Sequence, residues 1–459
     1  MALNLKGKRV TVLGLGLHGG GVGAARFLVA HGAIVTVTDL KSAQQLAPSL
    51  DALRGLPVRY ILGEHRLDDI VAADMVIRNP GVPAESPYLA AARAAGVPVE
   101  MEMGLFFQLC PAPIIGVTGT KGKSTTTLLI GSILRQTDPR TVVAGNLRIS
   151  ALELLPQITP TTPVVLELSS WQLEGLEPHR MSPHIAVITN IAPDHLNRYS
   201  SFEAYARSKT TIFRWQGKDD VVVLNRDNGI VAGFARECPG QVAWFSRHQT
   251  VDGACLEADR IVWRWQKQTT ALCELSDVRL PGTHNLENVL AACAATSVWG
   301  VAPAAVRAGV RAFAGSEHRL EFVREIAGVQ FYNDTTATAP QAAMMALQAF
   351  DQPIVLIAGG ADKNLDFSAL GEKIVRRVKA LVLLEGSATD KLEAAVRAAG
   401  GQDLLAGRYG DLRQAVERAR EAAVARDVIL LSPGCASFGL FANEFERGDT
   451  FRAIVQSLP

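Results

Sequence analysis

The stretch PIIGVTGTKGKSTTTLLIGSIL, residues 113–134, constrains the fold more than any other part of the chain. A short apolar run, a glycine-rich turn and a long apolar run follow without a break. That order reads as strand, loop and helix, with the helix starting where a buried strand ends. Gly116, Gly119 and Gly122 free the backbone to wrap its N–H groups around an anion. Lys123 can neutralise phosphate oxygens, and Ser124 or Thr125 can place a hydroxyl on magnesium. Val117 stands where the commonest phosphate loop has its first glycine, so the spacing here is G-x-x-G-x-x-G-K-S-T. An ordinary glycine turn has no need of Gly-Lys-Ser-Thr at a helix start, so phosphate binding is the expectation. Motors, kinases, transporters and synthetases all use such a loop.

The rest of the chain repeats this alternation. RVTVLGL (9–15), IVTVTD (34–39), VRYILG (58–63) and MVIRN (75–79) read as buried parallel strands, with helical patterns at 23–32 and 87–96 between them. The pattern restarts at 113 with PVVLELSS (163–170), HIAVITN (184–190) and DVVVLN (220–225). An antiparallel patch is expected near QVAWFS and RIVWRW. A third set holds VQFYND (329–334), PIVLIAGG (353–360), KALVLLEG (379–386) and DVILLSPG (427–434). This is an α/β chain, and its 459 residues exceed one ordinary core. Boundaries near 101 and 315 give segments 1–101, 102–315 and 316–459.

A net charge of +1 leaves no polybasic footprint for nucleic acid or an anionic membrane. No run approaches the roughly 20 apolar residues of a membrane span, and the N-terminus has no signal-like apolar stretch. The six cysteines show no C-x-x-C or zinc spacing, which reads as buried thiols in a reducing cytoplasm.

Gly14-Leu15-Gly16-Leu17-His18-Gly19 forms a G-x-G-x-x-G, and Asp39 closes the next strand. That spacing is where a dinucleotide enzyme puts its ribose-binding acid. NAD, another nucleotide such as a uridine diphosphate, and a plain packing turn are all open readings. No later segment supplies a hydride-transfer site. Downstream of the phosphate loop, Glu167 lies within an apolar strand, where an unpaired carboxylate is costly. A metal ion is one partner for it. His195, beside a helix-capping Asp194, reads alone as a surface histidine. Lys209 on a helical pattern reads alone as solvated. Their order after a phosphate loop makes the three more informative together.

With these residues in view, the chain resembles a Mur ligase. The matching stretches are GVTGTKGKST, AGNL (144–147), LELSSWQLE (166–174), ITNIAPDHLNRY (188–199), the Lys209 segment, PGTHNLENVLAA (281–292) and EHRLEFV (317–323). LGLGLHGGG, NPGVP (79–83), GGADKNLDF (359–367) and LSPGCASFGLF (431–441) are similar to members that add D-glutamate to UDP-N-acetylmuramoyl-L-alanine. The Asp-Asn-Pro-Arg motif of the diaminopimelate- or lysine-adding relative is absent.

The resemblance implies three domains: a Rossmann-like N-terminal domain for the UDP substrate, a central ATPase with a parallel sheet, and a C-terminal Rossmann-like domain for the amino acid. It implies a cytoplasmic enzyme of peptidoglycan precursor synthesis using ATP and two magnesium ions; a monomer is expected, since closure of one domain over another could assemble the whole site. Lys123, Ser124 and Thr125, with Gly119 and Gly122, would hold ATP phosphates and a metal. Glu167 and His195 would be metal ligands, and Lys209 matches the lysine that is carbamylated in the family to orient the second metal. Asn285 and Asn288 would address adenine, and Arg319 and Asp334 would address ATP from the third domain. Leu17, His18, Asp39, Asn79 and Gly81 would line the uracil end. Asn146 would touch the substrate near its reacting end. Thr338, Lys363 and Ser437 would bind the glutamate carboxylates.

The chain departs from the family pattern in three places. Thr336 stands where lysine is common. His18 replaces a small hydroxyl residue. In Asn443-Glu444-Phe445-Glu446 the aromatic and acidic positions are shifted by one, a rotation of about 100° on a helix. The alternatives are the same mechanism with another amino acid such as L-glutamate, a nicotinamide-dependent oxidoreductase, and a non-catalytic nucleotide-binding regulator.

Overall fold

The computed structural model describes residues 4–17, 19–194, 198–280, 282–363 and 365–459. The chain divides into two compact units, Met1–Val278 with Glu287–Ala312, and Arg279–Leu286 with Phe313–Pro459.

The first unit contains two sheets. One is parallel, with β1 (Arg9–Leu13), β2 (Ile34–Asp39), β3 (Val58–Leu62), β4 (Met75–Arg78) and β5 (Val99–Glu100) in the order β3-β2-β1-β4-β5. Helices cover both faces of such a sheet, which is why its strands read as unbroken β-branched runs. The order reverses at β1, so the loops after β1 and β4 diverge and leave a crevice at their carboxyl ends.

The second sheet has nine strands: β6 (Ile114–Thr118), β7 (Val142–Gly145), β8 (Val164–Glu167), β9 (Ile185–Ile188), β10 (Val221–Asn225), β11 (Gln241–Ser246), β12 (Gly253–Glu257), β13 (Arg260–Trp265) and β14 (Gln268–Glu274). Their order is β14-β13-β12-β11-β10-β9-β6-β8-β7. The phosphate-loop strand β6 lies between β8 and β9, with Val117 opposite Glu167 and Thr118 opposite Ile188. That register brings the phosphate loop, Glu167 and the segment leading to His195 to one sheet edge. Both sheets share one apolar core, which includes Val12, Val37, Phe106, Leu166 and Ile188.

The expected antiparallel patch is corrected at one strand. QVAWFS forms β11, which runs parallel to both β10 and β12. A helical crossover, Gly229–Gly233 and Phe234–Glu237, returns the chain to the starting edge of the sheet, so β10 and β11 share a direction. Only β12, β13 and β14 are antiparallel neighbours, joined by tight turns.

The second unit holds β15 (Glu321–Ile326), β16 (Val329–Asn333), β17 (Ile354–Gly359), β18 (Val378–Leu384), β19 (Leu405–Tyr409) and β20 (Val428–Leu431) in the order β15-β16-β20-β17-β18-β19. Only the β15–β16 hairpin is antiparallel. β20 lies between β16 and β17, so the loops after these three strands are neighbours. Apolar clusters cover both faces of this sheet. Among the described residues, no helix is long and apolar enough to cross a membrane. All six cysteines are free; four are buried, and Cys110 and Cys238 are half-buried.

Candidate active site

The phosphate loop depends on its glycines. Gly122 precedes helix Lys123–Leu134 at φ 81°, and a Cβ there would stand 2.1 Å from Asn288 Oδ1. At Gly119, φ 146°, a Cβ would stand 1.9 Å from Thr189 Oγ1. No larger residue fits either position. The segment after β9 buttresses the loop. Thr120 N donates to Asn190 O at 2.8 Å and Lys121 N to Asn190 Oδ1 at 3.0 Å. Thr189 Oγ1 donates to Lys121 O at 2.6 Å. Lys123 Nζ bonds back to the carbonyls of Gly119 (3.1 Å) and Thr120 (3.0 Å), so its charge lies over the loop. Ser124 and Thr125 follow it in the first helical turn. His195 and His18 lie outside the described residues.

Glu167 closes β8 and is only 1% exposed. Its Oε1 accepts from Asn146 Nδ2 at 2.7 Å, while its buried Oε2 has no hydrogen-bond partner among the described residues. A buried carboxylate oxygen left open in this way fits a cation ligand. No group of three or more His, Cys, Asp or Glu side chains that could hold a metal occurs among the described residues.

Lys209 lies on helix Phe202–Arg214, which is capped by Ser201. It is 2% exposed, so the solvated reading does not hold. Burial, reinforced by the Lys123 cation, lowers its pKa to about 7, and Asp194 and Glu167 oppose the shift. Its ammonium nitrogen lies 4.9 Å from the centre of the Tyr205 ring. Tyr205 precedes it by one turn, and its hydroxyl hydrogen-bonds Thr120 Oγ1 of the phosphate loop at 3.1 Å. That i, i+4 spacing was the only signal in the sequence for Tyr205.

A cavity of about 440 Å³ joins these groups to the first sheet; Asn79, Gly81, Lys123, Asn146, Trp171 and Lys209 are among its lining residues. Asn79 shapes the rim, its Oδ1 accepting from Gly81 N at 2.9 Å. Arg198, which the sequence reading missed, lies over the Trp171 ring at 4.7 Å. It donates to the carbonyls of Pro80 (3.3 Å), Gly81 (3.3 Å) and Val82 (3.4 Å). It thus ties the loop after β4 to the central sheet.

The G-x-G-x-x-G turn has a structural task. Asp39 Oδ2 accepts from the backbone N–H groups of Leu15 (2.9 Å) and Gly16 (3.0 Å), and Oδ1 accepts from Lys41 N at 2.9 Å. A Cβ on Gly19 would meet Arg148 O at 2.8 Å. These contacts hold the shape of the turn. Leu17 is exposed on the turn.

In the second unit, Asp334 follows β16 and is buried. Its Oδ2 accepts from Ser432 Oγ at 2.7 Å and its Oδ1 from Leu320 N at 3.2 Å. Burial raises its pKa to about 7, against these hydrogen bonds and the nearby Arg319 charge. Lys363 Nζ donates to Thr338 Oγ1 at 3.2 Å. Reciprocal backbone bonds between Ala361 and Ala436 tie the Lys363 loop to the Ser437 loop. The Ser437 hydroxyl is buried and has no hydrogen-bond partner among the described residues. Thr336 Oγ1 donates to His318 O at 2.8 Å, so this departure serves the backbone. Phe445 packs edge-on against His318, with centroids 5.4 Å apart. Asn285, which is buried, belongs to this unit; Asn288 belongs to the first.

Residues 8–100 match the MurD-like N-terminal domain of Mur ligases, 117–296 the Mur ligase middle domain, and 318–435 the Mur ligase glutamate ligase domain. A UDP-N-acetylmuramoylalanine–D-glutamate ligase of Roseiflexus sp. (strain RS-1) is 55% identical, covering 99% of this chain and 100% of its own. One from Symbiobacterium thermophilum is 43% identical over 98% of each chain. The solved UDP-N-acetylmuramate–alanine ligase of Thermotoga maritima shares the fold, with a TM-score of 0.62 at 20% identity, covering 98% of this chain and 99% of that one. The chain therefore belongs to the Mur ligase family.

Proposed function

We propose that the protein joins D-glutamate to UDP-N-acetylmuramoyl-L-alanine, using ATP. The observation that carries this reading is the single cavity in which the Asn79–Gly81 rim, Asn146, Lys123 and Lys209 meet. A long substrate anchored at the first sheet can reach a phosphate loop within that one space. An L-alanyl carboxylate oxygen attacks the γ-phosphorus of ATP and the bond to ADP breaks. The resulting acyl phosphate has an electrophilic carbonyl and a good leaving group. The glutamate amine attacks it, loses a proton and expels phosphate, which keeps the carboxylate oxygen.

Gly119, Gly122, Lys123, Ser124 and Thr125 hold the ATP phosphates, while Asn285, Asn288, Arg319 and Asp334 address the rest of the nucleotide. Leu17, His18 and Asp39 serve the uracil end. Thr338, Lys363 and Ser437 take the glutamate carboxylates, for which an ammonium and two hydroxyls are suited. Glu167, Ser124, His195 and Lys209, once carbamylated, would hold two magnesium ions. When bound, magnesium neutralises charge on the transferring phosphoryl group. A lysine with a pKa near 7 offers a neutral amine at physiological pH, the form that adds CO2 to give a carbamate. The reading places domain boundaries near 101 and 315 and describes a cytoplasmic monomer.

Phosphate release tests this function. The purified protein with UDP-N-acetylmuramoyl-L-alanine, ATP and magnesium turns over with D-glutamate and not with L-glutamate. Turnover with L-glutamate alone, or with neither, overturns it.

A further inference from the structure

Arg447 is the largest fully buried side chain among the described residues, 1% exposed, in the first turn of helix Glu444–Ser457. A guanidinium so placed normally has a carboxylate partner. Among the described residues Arg447 makes no ion pair. Its donors go to two loops instead. Nε donates to Thr335 Oγ1 at 2.9 Å and one terminal nitrogen to Thr335 O at 2.9 Å. The other terminal nitrogen reaches the carbonyls of Ala436 (3.3 Å) and Cys435 (3.5 Å). Thr335 Oγ1 in turn donates to Glu444 O at 2.8 Å, closing the network onto the helix. Burial lowers the Arg447 pKa only to about 10, so it is a cation at every physiological pH.

The two clamped loops are those after β16 and β20. One continues to Thr338, which Lys363 contacts, and the other to Ser437 with its unpartnered hydroxyl. A rigid, planar fork sets the spacing of these side chains as a flexible ammonium could not. Its charge, favoured by the nearby Glu444 carboxylate, lies at the loops that lead to Thr338 and Ser437, on a chain where Thr336 supplies no cation.

We propose that Arg447 is a positioning residue for the incoming amino acid: it fixes the Thr338 and Ser437 loops and gives their pocket a positive potential. This rests on the glutamate reading given above.

Steady-state titration of D-glutamate, ATP and the UDP substrate on wild type, Arg447→Ala and Arg447→Lys tests it, with a melting curve for each. The expected result is a rise in the glutamate KM of about tenfold or more in Arg447→Ala, with the other two KM values unchanged. Added guanidinium chloride at low concentration restores part of the loss in that variant and has no such effect on wild type. Arg447→Lys, which keeps the charge and loses the fork, is intermediate. An unchanged glutamate KM overturns the proposal, as does an equal rise in all three KM values together with a lowered melting temperature. Should Arg447→Ala not fold, Arg447→Lys decides by the same split. A wild type without D-glutamate turnover removes the underlying reading. A competent wild type with unchanged variants removes only the role of Arg447.

Discussion

A Lys209→Ala protein loses about 10³-fold in kcat, the scale of removing one preorganised electrostatic group, and its residual rate does not respond to bicarbonate. The lysine is 2% exposed, beside the Lys123 cation, and its pKa is lowered to about 7. Only the neutral amine reacts with CO2, and the carbamate formed is an anion where the ammonium was a cation. The wild-type rate at limiting CO2 therefore falls as pH drops through about 7, and bicarbonate raises it most there. Lys209→Arg keeps the cation, cannot form a carbamate, and is as inactive as the alanine variant. A stability effect accompanies this. The unfolded chain holds the lysine proton up to the ordinary value of 10.5, and the folded chain releases it near 7. Between those values the unfolded state binds more protons, so this residue makes stability rise with pH. Lys209→Met accordingly melts above wild type at pH 6, and the gap narrows as pH rises past 7. A bicarbonate-independent profile with full activity in Lys209→Arg contradicts the account.

Glu167→Gln separates catalysis from folding. Gln keeps an oxygen for the Asn146 amide at the position now 2.7 Å away, but puts an N–H donor where Oε2 has no partner. Glu167 makes no direct ion pair among the described residues, and Lys209, the cation it acts on, is already held near neutrality, so removing this buried charge costs the fold little. The same change removes the anionic ligand that a cation would use. The expected outcome is kcat lower by about 10²–10³-fold and a raised magnesium midpoint, with a melting temperature at or above wild type. A variant that melts lower and keeps its magnesium midpoint would show that Glu167 serves only packing.

The parts of this site that the sequence made legible are local. The phosphate loop is a contiguous strand, turn and helix, and its glycines are required by contacts at Gly119 and Gly122 that no side chain could accept. The parallel strands were legible because burial on both faces leaves β-branched runs. QVAWFS was misread because strand direction depends on where the preceding crossover returns the chain, which a six-residue run does not encode. Asp39 was found by its spacing, yet its oxygens serve the glycine turn 24 residues earlier. Arg198 and Arg447 were passed over because a charged letter in a loop or on a helix reads as solvated. Only the fold shows that one lies on an indole and the other is buried among carbonyls. His195 and His18 remain readings of the sequence.

The most direct measurement of the central claim follows oxygen. UDP-N-acetylmuramoyl-L-alanine labelled with ¹⁸O in the alanyl carboxylate is turned over with ATP and D-glutamate, and the released nucleotide and phosphate are analysed by mass spectrometry. The account predicts ADP and phosphate carrying one labelled oxygen, because the carboxylate oxygen leaves with phosphorus when the amide forms. Unlabelled phosphate, or label in AMP with pyrophosphate released, would contradict it.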